Sequence, residues 1–420
     1  MRILHVNKYL YRRGGAEGYM LDVASLQSAA GHEVTFFGMT HPENPPLPYA
    51  GHFPPLVELE PAPEHALDKA RAIARMLYST SSRRGMAAVL ADFAPDVVHL
   101  HNIYHQLSPS ILRPVHAYGA AAVMTLHDYK LACPTYQFLA NGELCEDCLD
   151  GRFRHAVRRR CKDGSGGASA VLALESRVHR STGAYEPVRL FISPSRFLAA
   201  KMVEAGVFPA RMQVLNNFVD AAAFPAKQSP GGGVVFAGRL SAEKGVDVLI
   251  EAMARLGPEV RLEIAGEGPD RPALEALAGR LAPDRITFHG RLAKEPLLAL
   301  VRSAAVAVVP SRWHENQPMA VLEAFACGVP VVTTDLGGLP ELVSAGVDGE
   351  VVPANEPVAL GAAVAALLAS PERTFAMGQA ARQKAMTRFA PAEHLSTLMG
   401  LYERAAVPTR QPVSAARVTR

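Results

Sequence analysis

Ten short apolar runs recur along the chain, at 3–6, 33–37, 96–100, 122–126, 190–193, 234–237, 261–265, 285–289, 305–309 and 330–333. They are rich in Val, Ile and Phe and lack the apolar/polar alternation of a half-exposed strand. Strands covered on both faces of a parallel sheet have this character. Between them lie segments with a period near 3.6, such as 245–256, where Val246, Leu249, Ile250, Met253 and Leu256 share one face. Strand runs that alternate with helical segments fold as α/β layers joined by right-handed crossovers. A Pro-, Gly- and Ser-rich stretch at 226–233 breaks the rhythm and reads as a linker with nothing to bury. The expected architecture is therefore α/β, with two doubly wound, Rossmann-like domains facing a cleft. The first covers 1–220, with an insertion at about 130–170; the second covers 221–388. A helical pattern follows over 389–405, and 406–420 reads as a frayed tail.

Composition narrows the function classes. Of 420 residues, 49% are hydrophobic and 20% charged, which suits large cores and excludes global disorder. The formal charge of +3 demands no nucleic-acid partner. The longest stretch free of charged and strongly polar residues, 358–369, is too short to span a bilayer. Residues 1–7 carry no signal-peptide pattern, so a cytoplasmic protein is expected.

In open parallel sheets ligands bind beyond the carboxyl ends of the strands, so the loops there are the candidate sites. The loop after the first run holds Gly14 and Gly15 just before a helix. That suits close backbone approach to an anion, although an ordinary turn has the same look and the dinucleotide fingerprint is missing. His127 and Asp128 follow the fourth run, where a histidine faces the cleft. Gly238, Arg239, Lys244 and Gly245 follow the first run of the second half. Two fixed cations before a helix neutralise a diphosphate without a metal. Gly266 and Gly268 offer backbone contact to a flat ligand such as a base. Between Trp313 and Pro330, Pro318 fits the first helical position and Gly328 the residue past the helix end. Glu315 precedes that helix and Glu323 lies on its second turn. Helical geometry would put them about 12 Å apart, far enough to grip two ends of a long polar ligand.

These residues, in this order, resemble the family 4 glycosyltransferases of GT-B fold, and the resemblance covers nearly the whole chain. It rests on Gly14-Gly15-Ala16-Glu17, Leu126-His127-Asp128, Gly238-Arg239 with Glu243-Lys244-Gly245, Gly266-Glu267-Gly268-Pro269, and Glu315 with Glu323. The resemblance implies a retaining glycosyltransferase. A sugar would pass from a nucleotide-activated donor, with UDP favoured, to a saccharide or lipid-linked acceptor in surface polysaccharide or glycolipid synthesis. Arg239 and Lys244 would hold the diphosphate, Glu323 the ribose, and Glu315 the donor sugar. Backbone from Asn316 through Gln317 and Pro318 to Met319 would lie near the phosphates. His127 would lie near the transferred sugar, and the Gly15 loop would shape the phosphate and acceptor side. The terminal helix would cross back onto the N-terminal domain. Many members have Phe-Gly where this chain has Asn316-Gln317. No catalytic cofactor is expected, since there is no Asp-x-Asp pair to bring a metal to the diphosphate. An epimerase or phosphorylase of the same fold, or a non-catalytic nucleotide-sugar binder, stands as the alternative.

Four of the five cysteines, Cys133, Cys145, Cys148 and Cys161, fall in the insertion with spacing C-x11-C-x2-C-x12-C. The pattern suits a structural zinc site, with two disulfides or unrelated thiols as alternatives. From Arg152 to Lys162 there are six Arg or Lys residues, which suits a solvated face or a contact with anionic membrane at the inner face of the cell membrane.

Overall fold

The computed structural model describes residues 1–58 and 65–407. Its first sheet consists of β1 (Arg2–Val6), β2 (Glu33–Phe37), β3 (Val97–Leu100), β4 (Ala121–Thr125), β7 (Leu190–Ser193) and β8 (Met212–Val214), in the order β2-β1-β3-β4-β7-β8. Between β4 and β7 a two-stranded hairpin, β5 (Leu139–Ala140) with β6 (Glu143–Leu144), belongs to the insertion. The second sheet consists of β9 (Val234–Ala237), β10 (Leu262–Ala265), β11 (Ile286–Gly290), β12 (Val306–Val309), β13 (Val331–Thr334) and β14 (Gly349–Val352), in the order β11-β10-β9-β12-β13-β14. Every pairing within the two large sheets is parallel. This is the two-domain Rossmann-like architecture expected of a GT-B fold.

All ten apolar runs are strands to within one residue at each end. The runs missed the short hairpin strands β5 and β6 and, in the two large sheets, β8 and β14, which are edge strands. Both edge strands are paired along one edge only, and each carries a polar residue in its middle, Gln213 in Met212-Gln213-Val214 and Glu350 in Gly349-Glu350-Val351-Val352, so neither shows an unbroken apolar sequence. The strand order reverses around β1 in one sheet and β9 in the other. The loops leaving those two strands therefore open at the crevice where such folds bind ligands.

Two expectations need correction. The 226–233 stretch is not a loose tether. Lys227 is buried and its Nζ donates to the Ala304 carbonyl, its backbone N–H reaches Cys327 O at 3.2 Å, and Gly232 N–H reaches Ser303 O at 3.1 Å. Gly231 is glycine because a Cβ there would lie 2.4 Å from the Ser303 carbonyl oxygen. Pro318 is the residue before the helix Met319–Cys327 rather than its first residue, with extended ψ of 128°. The terminal helix, Pro391–Ala406, packs on β4 and on the helix Gly15–Ala29. Leu398, Leu401 and Tyr402 fill a core with Ile3, Tyr19, Val97 and Ile192. Of the 406–420 tail, residues 408–420 lie outside the described residues.

A buried charge cluster braces the insertion beside the site. Glu175 accepts from Lys130 Nζ at 2.8 Å and from His105 Nδ1 at 3.0 Å, and Lys130 also donates to the Pro134 carbonyl. Burial pushes the Glu175 carboxyl up, but Lys130 and His105 outweigh it and hold it below the usual range. The stability this contributes is present above the unfolded carboxyl range and is lost as pH falls through the depressed folded value. Lys130→Met should destabilise the fold by about 3–5 kcal/mol, because it strands a buried carboxylate. Lys130→Met combined with Glu175→Leu should recover much of that loss, as read by urea denaturation at neutral pH.

Candidate functional site

The loops after β9 and β12 meet through one ion pair. Lys244 Nζ donates to Glu315 Oε1 at 2.6 Å, and Ser311 Oγ donates to the same oxygen at 2.7 Å. Glu315 is only 4% exposed. Burial pushes its carboxyl up, but Lys244 and Ser311 more than reverse this, so it stays ionised. Gly245 makes the turn at φ +65°, and a Cβ there would strike the Pro310 carbonyl. Arg239 is exposed and, among the described residues, makes no hydrogen bond or ion pair, so its guanidinium is available to a ligand anion.

Glu323 differs sharply from Glu315. It sits partly buried on the second turn of Met319–Cys327, between the core residues Leu322 and Ala324. Its carboxylate has no hydrogen-bond or ion-pair partner among the described residues. Burial pushes its pKa up to about 7, with Lys294 opposing the rise and Asp22 adding to it. A carboxylate placed among core residues without a protein partner is an acceptor held ready for donors from outside.

Gly266 and Gly268 are explained without a ligand. Gly266 has φ +154° and a Cβ there would lie 1.7 Å from Gly238 O; at Gly268 it would lie 2.1 Å from Leu240 O. Both glycines let the loop after β10 lie flat on the loop after β9.

The segment 314–317 is held by the N-terminal half. Asn316 accepts from Ser195 Oγ at 2.8 Å and donates to the Leu126 carbonyl at 3.2 Å. Gln317 Oε1 accepts from Asn217 N–H at 2.5 Å, and Tyr129 donates to the His314 carbonyl at 3.0 Å. The Asn316 and Gln317 side chains thus fasten the two halves, and their backbone, with Pro318 and Met319, leads into the helix N-terminus. On the facing side, Gly15 begins the helix Gly15–Ala29, and a Cβ on it would come 4.0 Å from Met319. A cavity of about 480 Å³ lies elsewhere, lined by Arg196, Asn216, Glu341, Arg388 and His394, and none of the motif residues lines it.

His127 follows β4, between Leu126 and Tyr129, which both bond the 314–317 segment. Its Nε2 lies 3.0 Å from His101 Nδ1, and burial pushes its pKa down to about 4. The sequence reading passed over three further histidines, His5, His99 and His101. All are fully buried, with ring nitrogens mutually within 4.8 Å. The available signal was histidine inside otherwise apolar strand runs.

The four insertion cysteines are all free thiols, and Cys133 lies close enough to help raise the pKa of Cys145, Cys148 and Cys161. Burial, then Cys133, pushes Cys148 up to about 12. Cys145 sulfur accepts from the Asp147 N–H and Cys148 sulfur from the Ala156 N–H, and Gly151 turns the chain at φ +76°. A donor set of four thiols with N–H···S support suits zinc chemistry, although no three of the sulfurs lie mutually within 4.8 Å. Between them, Glu146 bonds Lys201 at 2.6 Å and His314 at 3.2 Å, so the insertion touches the residue before Glu315. Of the six cations between Arg152 and Lys162, Arg152, Arg159 and Lys162 pair with Asp150, Asp147 and Asp163. Arg154, Arg158 and Arg160 are exposed.

A family model described as Glycosyltransferase Family 4 matches residues 13–223, and one described as Glycosyl transferases group 1 matches 224–384. The chain is 36% identical over 177 residues to D-inositol 3-phosphate glycosyltransferase of Xylanimonas cellulosilytica, covering 41% of this chain and 42% of that protein. It is 34% identical over 173 residues to alpha-D-kanosaminyltransferase of Streptomyces kanamyceticus, covering 40% and 45%. The matched region spans less than half the length of these curated relatives. Among solved structures it is similar to sucrose-phosphate synthase from Thermosynechococcus elongatus, with TM-score 0.72, 20% identity and coverage of 96% and 98%. It is also similar to Anabaena HepE in complex with UDP and glucose, with TM-score 0.64, 18% identity and coverage of 96% and 100%. Among the described residues no single helix is long and apolar enough to cross a membrane.

The isolated carboxylate has a consequence for stability. Folding raises the Glu323 pKa above its unfolded value, so the ionised form opposes folding; the cost is absent below about pH 4 and full above about 7. Glu323→Gln should therefore raise the melting temperature of the unliganded protein at pH 8 and leave it nearly unchanged at pH 5, as read by calorimetry.

Proposed function

The chain belongs to glycosyltransferase family 4, and on that premise we propose that it transfers a sugar, with retention, from a nucleotide-activated donor to a hydroxyl-bearing acceptor. The observation that carries this reading is that, among the described residues, both the Glu323 carboxylate and the Arg239 guanidinium lack a partner, Arg239 in the loop after β9 and Glu323 on the helix that follows β12. Arg239 and Lys244 take the diphosphate, with help from the N-terminus of Met319–Cys327. Glu323 accepts both ribose hydroxyls. Lys244 is shared between Glu315 and the phosphates, so diphosphate and donor-sugar contacts are set by one cation. Glu315 is already ionised and engaged on one oxygen, which leaves the other to accept from a sugar hydroxyl. We assign it no nucleophilic role: the leaving phosphate deprotonates the acceptor as it departs from the same face. UDP is the favoured carrier, supported by HepE being solved with UDP and glucose. The acceptor is a saccharide or lipid-linked saccharide, reached from a cytoplasmic position. The exposed Arg154, Arg158 and Arg160 would favour peripheral contact with anionic membrane.

A thermal-shift titration with UDP, GDP, ADP and NAD tests the donor site. Ligand at 100 times its dissociation constant adds about 2.7 kcal/mol. One nucleoside diphosphate should raise the melting temperature by a few degrees, and Glu323→Ala should abolish the shift. A response to NAD alone, or to none, would overturn the assignment, and product analysis then separates transfer from epimerisation or phosphorolysis.

We also propose that Cys133, Cys145, Cys148 and Cys161 hold a structural zinc ion. The support is the C-x2-C spacing, the N–H···S bonds and the Gly151 turn. Elemental analysis of protein purified without chelator should find one zinc per chain, lost in Cys145→Ser with Cys148→Ser. Metal-free wild type with full stability would refute it.

A further inference from the structure

A line of buried polar groups runs from the terminal helix to His127. At its outer end the Asn216 carbonyl only accepts, so His394 Nδ1, 2.8 Å away, carries the proton. A neutral imidazole holds a single N–H, so His394 Nε2 accepts from Tyr19 OH at 3.0 Å. Thr125 comes next, and from there the direction is set by the Gln27 amide: with Gln27 Nε2 donating to the Tyr402 oxygen at 3.1 Å, Tyr402 OH donates to His99 Nδ1 at 2.6 Å, and His99 Nε2–H donates to Thr125 Oγ1 at 2.7 Å. Oε1 of the same amide accepts from His5 Nε2–H at 2.7 Å. His5 Nδ1 then accepts from His101 Nε2–H at 3.1 Å, and His101 Nδ1 from His127 Nε2–H at 3.0 Å.

Neutrality follows from burial. His5, His99 and His101 are fully buried and His394 is 4% exposed, with no carboxylate bonded to any of them. Burial pushes His5, His127 and His394 down to about 4, and burial with the neighbouring histidines holds His99 and His101 well below the usual imidazole value. Every link in the line is accounted for except the last: among the described residues His127 Nδ1 has no partner.

We infer that this line of hydrogen bonds fixes His127 as the Nε2–H tautomer and leaves Nδ1 open to the cleft as an acceptor only. The group that Nδ1 meets is then a hydroxyl rather than an anion, and on the reading proposed above it belongs to the sugar or its acceptor. His5, His101 and Gln27 are positioning residues, since each acts on the cleft through the next ring. The tautomer itself does not depend on which ligand binds.

The test is 15N NMR of the full chain labelled at its histidines, with the His127 signals assigned by their loss in His127→Gln. Wild type should show a protonated Nε2 and an unprotonated Nδ1 at His127, unchanged from pH 6 to 8. Gln27→Leu removes the group that sets the direction and should give a mixture of both tautomers. Gln27→Glu supplies an acceptor for His5 Nε2–H and should restore the single tautomer. A protonated Nδ1 in the wild type would overturn the inference, and that spectrum decides the matter even if Gln27→Leu fails to fold. Identical His127 tautomers in wild type and Gln27→Leu would overturn it, as would protonation of Nδ1 by added pyrophosphate. The nitrogens of His5, His99 and His101 are close enough for an ion to bridge them. A stoichiometric metal that is retained in the cysteine variants and lost in His5→Gln would break the line and overturn it too.

Discussion

The bond between Lys244 and Glu315 is the constraint on which the rest of the site depends. It places an ammonium and a nearly inaccessible carboxylate 2.6 Å apart at the ends of two neighbouring parallel strands. Without that cation the buried carboxylate would have only neutral donors, Ser311 among them, against its desolvation cost. With it, the 311–318 loop has a fixed path. The same loop presents His314, Asn316 and Gln317 to the N-terminal half, where Glu146, Tyr129, Leu126, Ser195 and Asn217 receive them. One local ion pair therefore shapes both the pocket floor and the seam between the domains.

The two glutamates on either side of Pro318 show how the chain divides stability from binding. Glu315 is satisfied by the protein and helps hold it together. Glu323 is left unsatisfied and weakens the unliganded fold at neutral pH and above. Unpaired buried charge is tolerated where a ligand completes it, and the helix around Glu323 is otherwise apolar and well packed, with Val321, Leu322, Phe325 and Ala326 fully buried. The surrounding core makes the defect affordable.

The sheets were legible in the sequence because strands covered on both faces cannot hide their composition. Glu315, Lys244 and Glu323 stood out in the sequence because charged residues at strand ends or within an apolar helix have few structural reasons to be there. Other features were not visible, for physical reasons. Edge strands β8 and β14 are short and interrupted by Gln213 and Glu350, so their sequences look like loops. Gly266 and Gly268 read as ligand contacts; glycine also serves where two backbones touch, and the nearness of Gly238 and Leu240 is something no local pattern reports. Asn316 and Gln317 read as pocket residues, but their partners lie 100 or more positions earlier in the chain. Lys227 sat inside an apparent linker, and no local pattern reports that a carbonyl at Ala304 awaits it.

The docking of the terminal helix has a consequence in time as well as in space. Tyr402 and His394 belong to the last described helix, whereas Thr125, His99 and His5 belong to strands made at the start of synthesis. A ribosome that has finished the first sheet has produced His5, His99, His101 and His127, yet Tyr402 is not there to hold the Gln27 amide that orients their protons. Orientation arrives only when residue 402 has emerged and the helix has closed over β4. A later segment thus acts as a maturation step for a side chain formed hundreds of residues earlier, and a chain that has not reached it holds the right atoms in an uncommitted state.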